Sequence, residues 1–188
     1  MRKFALFVWE IAKVVFISLI IIVPVRYFLI QPFYVKGASM EPSFQDHEYL
    51  IIDEISYRFK APVRGQVIVF RYPRNPQEYF IKRVIALPGE SVQIKDGQVV
   101  IYNEQNPEGR VLNEGYLPQN LLTDAQSQAK LDLGPDEYFV LGDNRNASKD
   151  SRSFGPVDKS FITGKVLLRG WPLSRWTVFD AESWPTYN

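Results

Sequence analysis

An apolar run opens the sequence and ends where a different pattern begins. Residues 4–25 are predominantly apolar, interrupted by Glu10, Lys13 and Ser18. At ~1.5 Å of rise per residue, a helix of this length crosses a bilayer, whereas the charge-free stretch 14–25 alone is too short. Glu10 and Lys13 are three residues apart, so on a helix they share a face and can pair. We therefore predict one transmembrane helix, ending near residues 24–26.

Two other interpretations of this run compete with a membrane anchor. Arg2 and Lys3 would suit the start of a cleaved signal peptide, but residues 26–30 are bulky and offer no small-x-small cleavage site. A buried core helix is the second. Cations are more numerous before the charge-free stretch than after it. This favours a single span with the amino terminus inside and everything from about residue 32 onwards outside the cytoplasm.

Downstream, the apolar runs become short and alternate with Pro, Gly and Asn, as is typical of strands. This pattern predicts strands at residues 49–53, 66–72, 78–87, 91–94, 98–102, 136–141 and 165–169. Asp96-Gly97 between two alternating runs predicts a tight hairpin. Many short strands without a strongly amphipathic helix indicate a mostly β domain.

Residues 103–134 break this pattern, because they are polar and only weakly periodic. We predict that they form an inserted excursion, part ribbon and part loop. The chain then divides into an anchor (1–30), a β core (31–102 and 135–188) and the excursion (103–134). The Trp- and Pro-rich end of the sequence, residues 172–188, is predicted to be irregular.

The amino-acid composition excludes several classes of function and of binding site. With 188 residues, the chain supports one membrane segment and one domain with a core. A net charge of +1 argues against a nucleic-acid-binding protein, which would carry a basic stripe. The absence of cysteine excludes disulfides and thiolate metal sites, and the single histidine, His47, excludes multi-histidine metal centres. We therefore expect neither a metal nor a cofactor.

Three stretches carry residues suited to chemistry, and the first surrounds Ser39. Gly37 and Ala38 leave little bulk beside Ser39, so its hydroxyl can be approached closely, and Pro42 stiffens the exit. Such surroundings suit a nucleophile that must meet a peptide backbone. Serine near Gly and Pro is equally typical of an ordinary turn, so this stretch alone does not decide.

The second stretch lies in the predicted strand 78–87. Because successive strand residues point to opposite faces, Lys82 shares one face with Phe80 and Val84, while Ile81 and Arg83 share the other. If the Lys82 face is buried, desolvation lowers the pKa of its amine, and a neutral amine is a general base. A lysine facing solvent on a half-exposed sheet is the alternative.

The third stretch is the polar loop 142–152. Asp150 and Arg152 can form a charge-assisted contact that fixes the loop, leaving Ser148 to present its hydroxyl to another site. An ordinary solvated loop is the alternative.

These stretches together resemble a known family, whose motifs occur here in the family's order. They are an apolar span, Gly37-x-Ser39-Met40-x-Pro42, Gly65-x-Val67-x-Val69-Phe70, Lys82-Arg83-Val84-Ile85-x-Leu87-Pro88-Gly89 and Gly142-Asp143-Asn144-Arg145-x-x-Ser148-x-Asp150-Ser151-Arg152. Asn113-Glu114-x-Tyr116-Leu117 is similar to a segment of some members. The sequence resembles bacterial-type signal peptidase I, the membrane-bound serine protease that removes signal peptides.

The resemblance implies an antiparallel β-sheet catalytic domain with an inserted β-ribbon, which residues 103–134 would supply in part. It implies Ser39 as nucleophile and Lys82 as general base. Residues that orient or brace the site would be Ser148, Asp150, Arg152, Asp143 and Asn144. Shallow substrate pockets, suited to cleavage after Ala-x-Ala, would be lined by Val35, Phe44, Ile81 and Phe80.

The implied partners are the signal peptides of secreted preproteins and membrane lipid, and no nucleic acid. Residues 28–34 would touch lipid unless they pack as an ordinary strand. Phe80 stands where many members have tyrosine. Gly37 stands where some carry a serine that assists the oxyanion hole, so the Ser39 backbone N–H and another donor would form it here.

Three other functions remain as alternatives at this stage. A Ser39–His47–Asp hydrolase would use the single histidine as its base. A self-cleaving, repressor-like Ser–Lys peptidase is disfavoured by the apolar span and the lack of a DNA-binding domain. A membrane-anchored β adaptor would have no catalytic activity.

Overall fold

One long apolar helix and two antiparallel sheets dominate the part of the chain that the structure describes. This computed structural model describes residues 2–28, 30–119, 121–124 and 129–179. Parts of the predicted excursion (120 and 125–128) and of the predicted irregular end (180–188) lie outside the described residues. The α-helices are α1 (Arg2–Phe28), α2 (Ser56–Phe59) and α3 (Ser151–Phe154), with 3-10 turns at Lys159–Phe161 and Leu173–Arg175.

The strands of the described part follow in chain order. They are β1 (Ile30–Tyr34), β2 (Tyr49–Asp53), β3 (Val67–Tyr72), β4 (Asn75–Ala86), β5 (Ser91–Lys95), β6 (Gln98–Asn103), β7 (Asn106–Val111), β8 (Leu131–Asp132), β9 (Glu137–Leu141), β10 (Val157–Asp158), β11 (Ile162–Trp171) and β12 (Thr177–Val178). The predicted fold class, mostly antiparallel β with an apolar helix, is confirmed.

Helix α1 is long and apolar enough to cross a membrane. Its segment Leu6–Val23 has a mean hydropathy of 2.5, and none of that segment is buried against the rest of the protein. A helix satisfies its own backbone groups, which a segment in lipid requires. The predicted Glu10–Lys13 pair is present, with Lys13 Nζ donating to Glu10 Oε1 at 2.7 Å.

The larger sheet has eight strands in the order β1-β2-β11-β3-β4-β9-β10, with β12 paired to β11. Both faces of its centre are covered. On β3, Val67 and Val69 belong to one buried cluster, whereas Ile68 and Phe70 belong to another. Coverage on two sides explains why β3 is a continuous apolar run rather than an alternating one.

The smaller sheet has the order β7-β6-β5-β8, and every pair in it is antiparallel. It includes β5 and β6, so this second sheet begins at Ser91, upstream of the excursion predicted at 103–134. The hairpin predicted at Asp96-Gly97 joins β5 to β6, and both turn residues have positive φ, 53° and 77°. A third cluster packs the second sheet against β4 and β9 through Val92, Ile94, Ile85 and Phe139.

Two local features refine the predicted pattern. Strand β3 ends at Tyr72, as predicted, but β4 begins at Asn75 rather than at residue 78, and Asn75 pairs with Tyr72 across a register shift. Residues 30–34, predicted either to touch lipid or to pack as a strand, form the edge strand β1 on β2, and Phe33 packs partly buried against the core.

The elements that matter for function meet at one side of the larger sheet. The loop 35–48 joins β1 to β2, and β4 passes beside it. Strand β4 pairs with β9 only from Arg83 onwards, so residues 75–82 have no neighbouring strand on that side in the described part of the chain. This unpaired stretch forms one wall of a groove.

Candidate active site

Ser39 lies at the start of a tight turn in the loop 35–48. Met40 O accepts a hydrogen bond from Phe44 N–H at 2.8 Å, and both side chains are buried, 1% exposed each. Gly37 has φ +89°, a conformation that side chains disfavour, and its N–H donates to Asp46 Oδ1 at 2.8 Å. The buried anchors and the glycine conformation hold the half-buried Ser39 at the mouth of the groove.

The amine of Lys82 meets the hydroxyl of Ser39. Lys82 Nζ donates to Ser39 Oγ at 2.7 Å and to Ile81 O at 2.8 Å, and it lies 5.3 Å from the centroid of the Phe80 ring. Lys82 is 3% exposed and forms no ion pair within the described part of the chain. The predicted apolar environment of this lysine is therefore present.

Burial changes the acid–base behaviour of this lysine. Desolvation lowers the pKa of Lys82 from 10.5 to about 8, against the smaller opposing influence of Asp150 and Asp143. With a pKa of about 8, about a tenth of the molecules carry a neutral amine at pH 7. A neutral amine within hydrogen-bonding distance of a hydroxyl can accept its proton, which makes the hydroxyl oxygen a nucleophile.

The loop 142–152 packs against the Ser39 turn. Asn144 N–H donates to Ser39 O, and Asn144 Nδ2 donates to Ala38 O, both at 3.1 Å. Arg152 Nε and Nη2 donate to the two carboxylate oxygens of Asp150, each at 2.8 Å. The second Asp150 oxygen also accepts from Gly142 N–H at 3.0 Å. These contacts fix the loop to itself and to the serine turn.

Ser148 differs from the expectation that it contacts Lys82. Its Oγ is buried and has no hydrogen-bond partner among the described residues. It lies against the backbone at Gly142, where an added Cβ would come within 2.1 Å of Ser148 Oγ and 2.4 Å of Ser39 O. Gly142 therefore allows Ser148 and the serine turn to approach one another, although the lysine contact itself is not formed in this structure.

The groove beside the Ser39–Lys82 pair has a volume of about 600 Å³. Its walls are residues 33–39 and 78–82, with Ala147 and Lys149 closing one part. Three of the predicted substrate-binding residues, Val35, Ile81 and Phe80, line it. Phe44 does not: it is 1% exposed and packs in the core against Phe179, at 5.2 Å between ring centroids. The turn at Met40 directs this side chain inward.

Sequence reasoning missed the partners of two buried arginines. Arg83 Nε and Nη2 donate to the two oxygens of Asp143 at 2.8 and 2.5 Å, and its Nη1 donates to Gly65 O at 2.8 Å. Arg145 pairs with Glu114 and also contacts Tyr116, so the excursion is tied to the loop 142–152. In the sequence, the only indication for Arg83 is that it is a charged residue within an apolar run. The same feature identified Lys82.

His47 lies outside this arrangement. Its side chain is 72% exposed, and it contacts Asp46 at 3.3 Å and the ring of Tyr34. No hydrogen bond links it to Ser39 within the described residues. Those residues contain no group of three or more His, Cys, Asp and Glu side chains that could hold a metal ion. The titratable side chain that contacts the Ser39 hydroxyl is therefore a lysine and not the histidine.

Comparison with known proteins agrees with this geometry. The family model described as signal peptidase, peptidase S26, matches residues 8–171. The chain belongs to this family. It is 34% identical to a probable signal peptidase I-2 from Synechocystis sp., over 88% of this chain and 74% of that protein. It is 37% identical to a signal peptidase I from Leptolyngbya laminosa, over 87% and 79% of the two chains.

Similarity extends to a more distant bacterium and to a solved structure. The signal peptidase IB of Staphylococcus aureus is 32% identical, over 89% of this chain and 92% of that protein. A crystal structure of a signal peptidase I from Enterococcus faecalis is 33% identical and aligns with 56% of this chain and 97% of its own, with a TM-score of 0.46. The family match and the three relatives show that the protein is an enzyme, a serine endopeptidase of the signal peptidase I class.

Proposed function

We propose that the protein removes signal peptides from exported preproteins with Ser39 as nucleophile and Lys82 as general base. The observation that carries this proposal is the 2.7 Å contact between Lys82 Nζ and Ser39 Oγ, formed by a lysine that is 3% exposed. The alternative base, His47, is exposed and does not contact the serine. Membership of the signal peptidase family supplies the substrate class.

The reaction follows from these two groups. Neutral Lys82 accepts the proton of Ser39 Oγ as the oxygen attacks the carbonyl of the last signal-peptide residue. The backbone N–H of Ser39 donates to no acceptor within the described residues, so it is free to stabilise the oxyanion. Lys82 then protonates the leaving amine, and afterwards activates the water that releases the acyl-enzyme.

Cleavage after Ala-x-Ala is the proposed specificity. Val35, Ile81 and Phe80 line the groove next to the nucleophile, and we propose that their apolar side chains form shallow recesses rather than a deep pocket. Recesses of this kind accept alanine and other small side chains while they exclude large ones sterically. Phe44 supports the groove from the core, behind Val35, and is not proposed as a contact of the substrate.

The loop 142–152 is proposed to brace the site. Asp150 and Arg152 stabilise the loop, Asp143 neutralises Arg83, and Asn144 holds the serine turn through two backbone carbonyls. Ser148 is proposed to orient Lys82 when substrate is bound, since its Oγ is buried and has hydrogen-bonding capacity to spare.

We propose that an anchor in a cytoplasmic or thylakoid membrane holds the groove where signal peptides emerge. The apolar helix and the family together indicate a membrane-anchored protein. We propose that α1 spans the membrane with its amino terminus inside, so that the β domain lies on the extracytoplasmic side. Only about one residue separates α1 from β1, which keeps the groove near the bilayer surface and its lipid.

The deciding experiment is cleavage of a precursor ending in Ala-x-Ala by the full chain in detergent. Ser39→Ala and Lys82→Met are expected to lower kcat by about 10³-fold or more, because each removes one half of the reacting pair. His47→Ala is the matched control and should retain full activity. Full activity of Lys82→Met, together with its loss in His47→Ala, would replace the Ser–Lys mechanism with a Ser–His one.

A further inference from the structure

A buried ionic cluster lies behind the loop that carries Ser39, and the proposed mechanism does not use it. Glu48 is 1% exposed, and its carboxylate contacts two arginines. Arg175 Nη1 donates to Glu48 Oε1 at 2.6 Å, and Arg169 Nε lies 2.9 Å from Oε2. We call Glu48, Arg169 and Arg175 the Glu48 cluster. A carboxylate withdrawn from water requires such partners, and both of these come from the far end of the chain.

The two arginines also bind the backbone of the serine loop. Arg169 Nη2 donates to Ser43 O at 2.5 Å, and Arg175 Nη2 donates to Pro42 O at 3.4 Å. These carbonyls follow Ser39 by three and four residues, on the same tight turn. Arg169 at the end of β11 and Arg175 in the following 3-10 turn therefore hold the downstream half of the serine turn through hydrogen bonds to its backbone.

Glu48 is also the last residue of the loop 35–48, and its backbone takes part in closing the base of the loop. Glu48 O accepts from Val35 N–H at 2.9 Å, and Val35 O accepts from His47 N–H at 3.0 Å, which closes the base of the loop. Asn144 holds the carbonyl of Ser39 itself at 3.1 Å. The loop is thus fixed at its base, at its downstream turn and at the nucleophile.

We propose that Glu48, Arg169 and Arg175 are positioning residues, which hold the loop 35–48 so that Ser39 Oγ lies within hydrogen-bonding distance of Lys82 Nζ. This inference rests on the proposed Ser–Lys mechanism and deepens it. The cluster touches neither the reacting atoms nor the groove. Its effect is geometric, because a displacement of about 1 Å in a reacting group costs about 100-fold in rate.

The test compares kcat and KM of variants on a synthetic peptide containing an Ala-x-Ala site, with the full chain in detergent. Arg175→Met is the main variant, because its side chain is 30% exposed and its loss leaves Arg169 beside Glu48. Glu48→Gln is the second, since it keeps the shape and removes the charge. Arg175→Lys should rescue most of the loss by restoring a cation. Arg64→Met, which breaks the Arg64–Glu90 pair elsewhere, is the matched control.

We expect Arg175→Met to lower kcat about 10-fold, with KM changed less than about twofold and the midpoint of the pH profile unchanged. Arg64→Met should lower the thermal midpoint without lowering kcat at a temperature where every variant is folded. Wild-type kcat in folded Arg175→Met and Glu48→Gln, or an equal loss in Arg64→Met, would overturn the inference. Active Ser39→Ala and Lys82→Met in the same assay would instead overturn the proposed function.

Discussion

Lys82 and Arg83 are neighbours on β4, and both cations are buried, 3% exposed each, in different surroundings. Arg83 is matched by both oxygens of Asp143 and by Gly65 O. Among the described residues no carboxylate forms an ion pair with Lys82, whose amine lies 5.3 Å from the centroid of the Phe80 ring. The charge of Arg83 is stabilised by its partners, whereas burial destabilises the charge of Lys82.

This difference in surroundings gives the two neighbouring cations different properties. A bidentate arginine–carboxylate pair keeps its charge and fixes the loop 142–152 to β4. An unpaired lysine loses part of its preference for the charged form, so its pKa falls to about 8 and it becomes available as a base. At successive positions the strand therefore carries an arginine that supports the loop 142–152 and a buried amine whose pKa is lowered.

Removal of Arg83 is the largest expected change in stability. Arg83→Met leaves Asp143, which is 1% exposed, as a buried carboxylate without its partner. We expect a loss of about 3–5 kcal/mol in the free energy of unfolding, measured by tryptophan fluorescence in detergent against denaturant. Asp143→Asn should cost a similar amount, and the double variant should cost less than the sum of the two. A loss below about 1 kcal/mol in Arg83→Met would contradict the comparison.

Removal of the Lys82 amine should raise the free energy of unfolding, whereas removal of Arg83 should lower it. Its folded pKa lies below its unfolded value, so the cost of burying the charge is fully present below pH 8 and disappears as the pH rises towards 10.5. Lys82→Met should be more stable than the wild type at pH 7 by about 1–3 kcal/mol, after allowance for two lost hydrogen bonds. Parallel unfolding curves of the two proteins from pH 7 to 11 measure this difference. A difference that stays constant over that range would show that the pKa is not lowered.

The sequence predicts the unusual surroundings of Lys82 but not the partner of Arg83. Alternation along β4 places Lys82 among apolar neighbours, and that anomaly can be seen without a structure. The partner of Arg83 is 60 residues away, and strand periodicity indicates which face a residue occupies but not what lies opposite. The Glu114–Arg145 pair, which joins the excursion to the loop 142–152, was missed for the same reason.

Strand periodicity also does not predict which sheet a strand joins, or that Phe44, a predicted substrate contact, points into the core. The strands β5 and β6 have the pattern of any half-buried strand, so their membership of the second sheet depends on tertiary packing. Phe44 lies in a stretch without periodicity, and only the turn at Met40 determines that its ring points into the core. Ser148 was identified from a motif, but its lack of a partner is a property of the folded loop.

A new carboxylate beside Lys82 should make its surroundings resemble those of Arg83. Phe80→Glu places a negative charge near Nζ, which lies 5.3 Å from the centroid of the present ring. An opposite charge at this distance should raise the pKa of Lys82 by about one unit, equivalent to about 1.4 kcal/mol. The pH profile of kcat/KM should move to higher pH by the same amount, and activity at pH 7 should fall about 10-fold. Phe80→Gln is the neutral control, and identical profiles for the two variants would remove the charge as the cause.

The smallest expected effect concerns the hydroxyl of Ser148, which lies beside Gly142 in the loop 142–152. Because its Oγ is buried without a partner, Ser148→Ala should leave the free energy of unfolding within about 1 kcal/mol of the wild type. If the hydroxyl orients Lys82 in the substrate complex, kcat should fall about fivefold, the equivalent of one hydrogen bond. Ser153→Ala, which loses a hydrogen bond to Asp150 O instead, is the matched serine control. An unchanged kcat in Ser148→Ala would mean that Lys82 is positioned by Ser39 and Ile81 O alone, as in the structure without substrate.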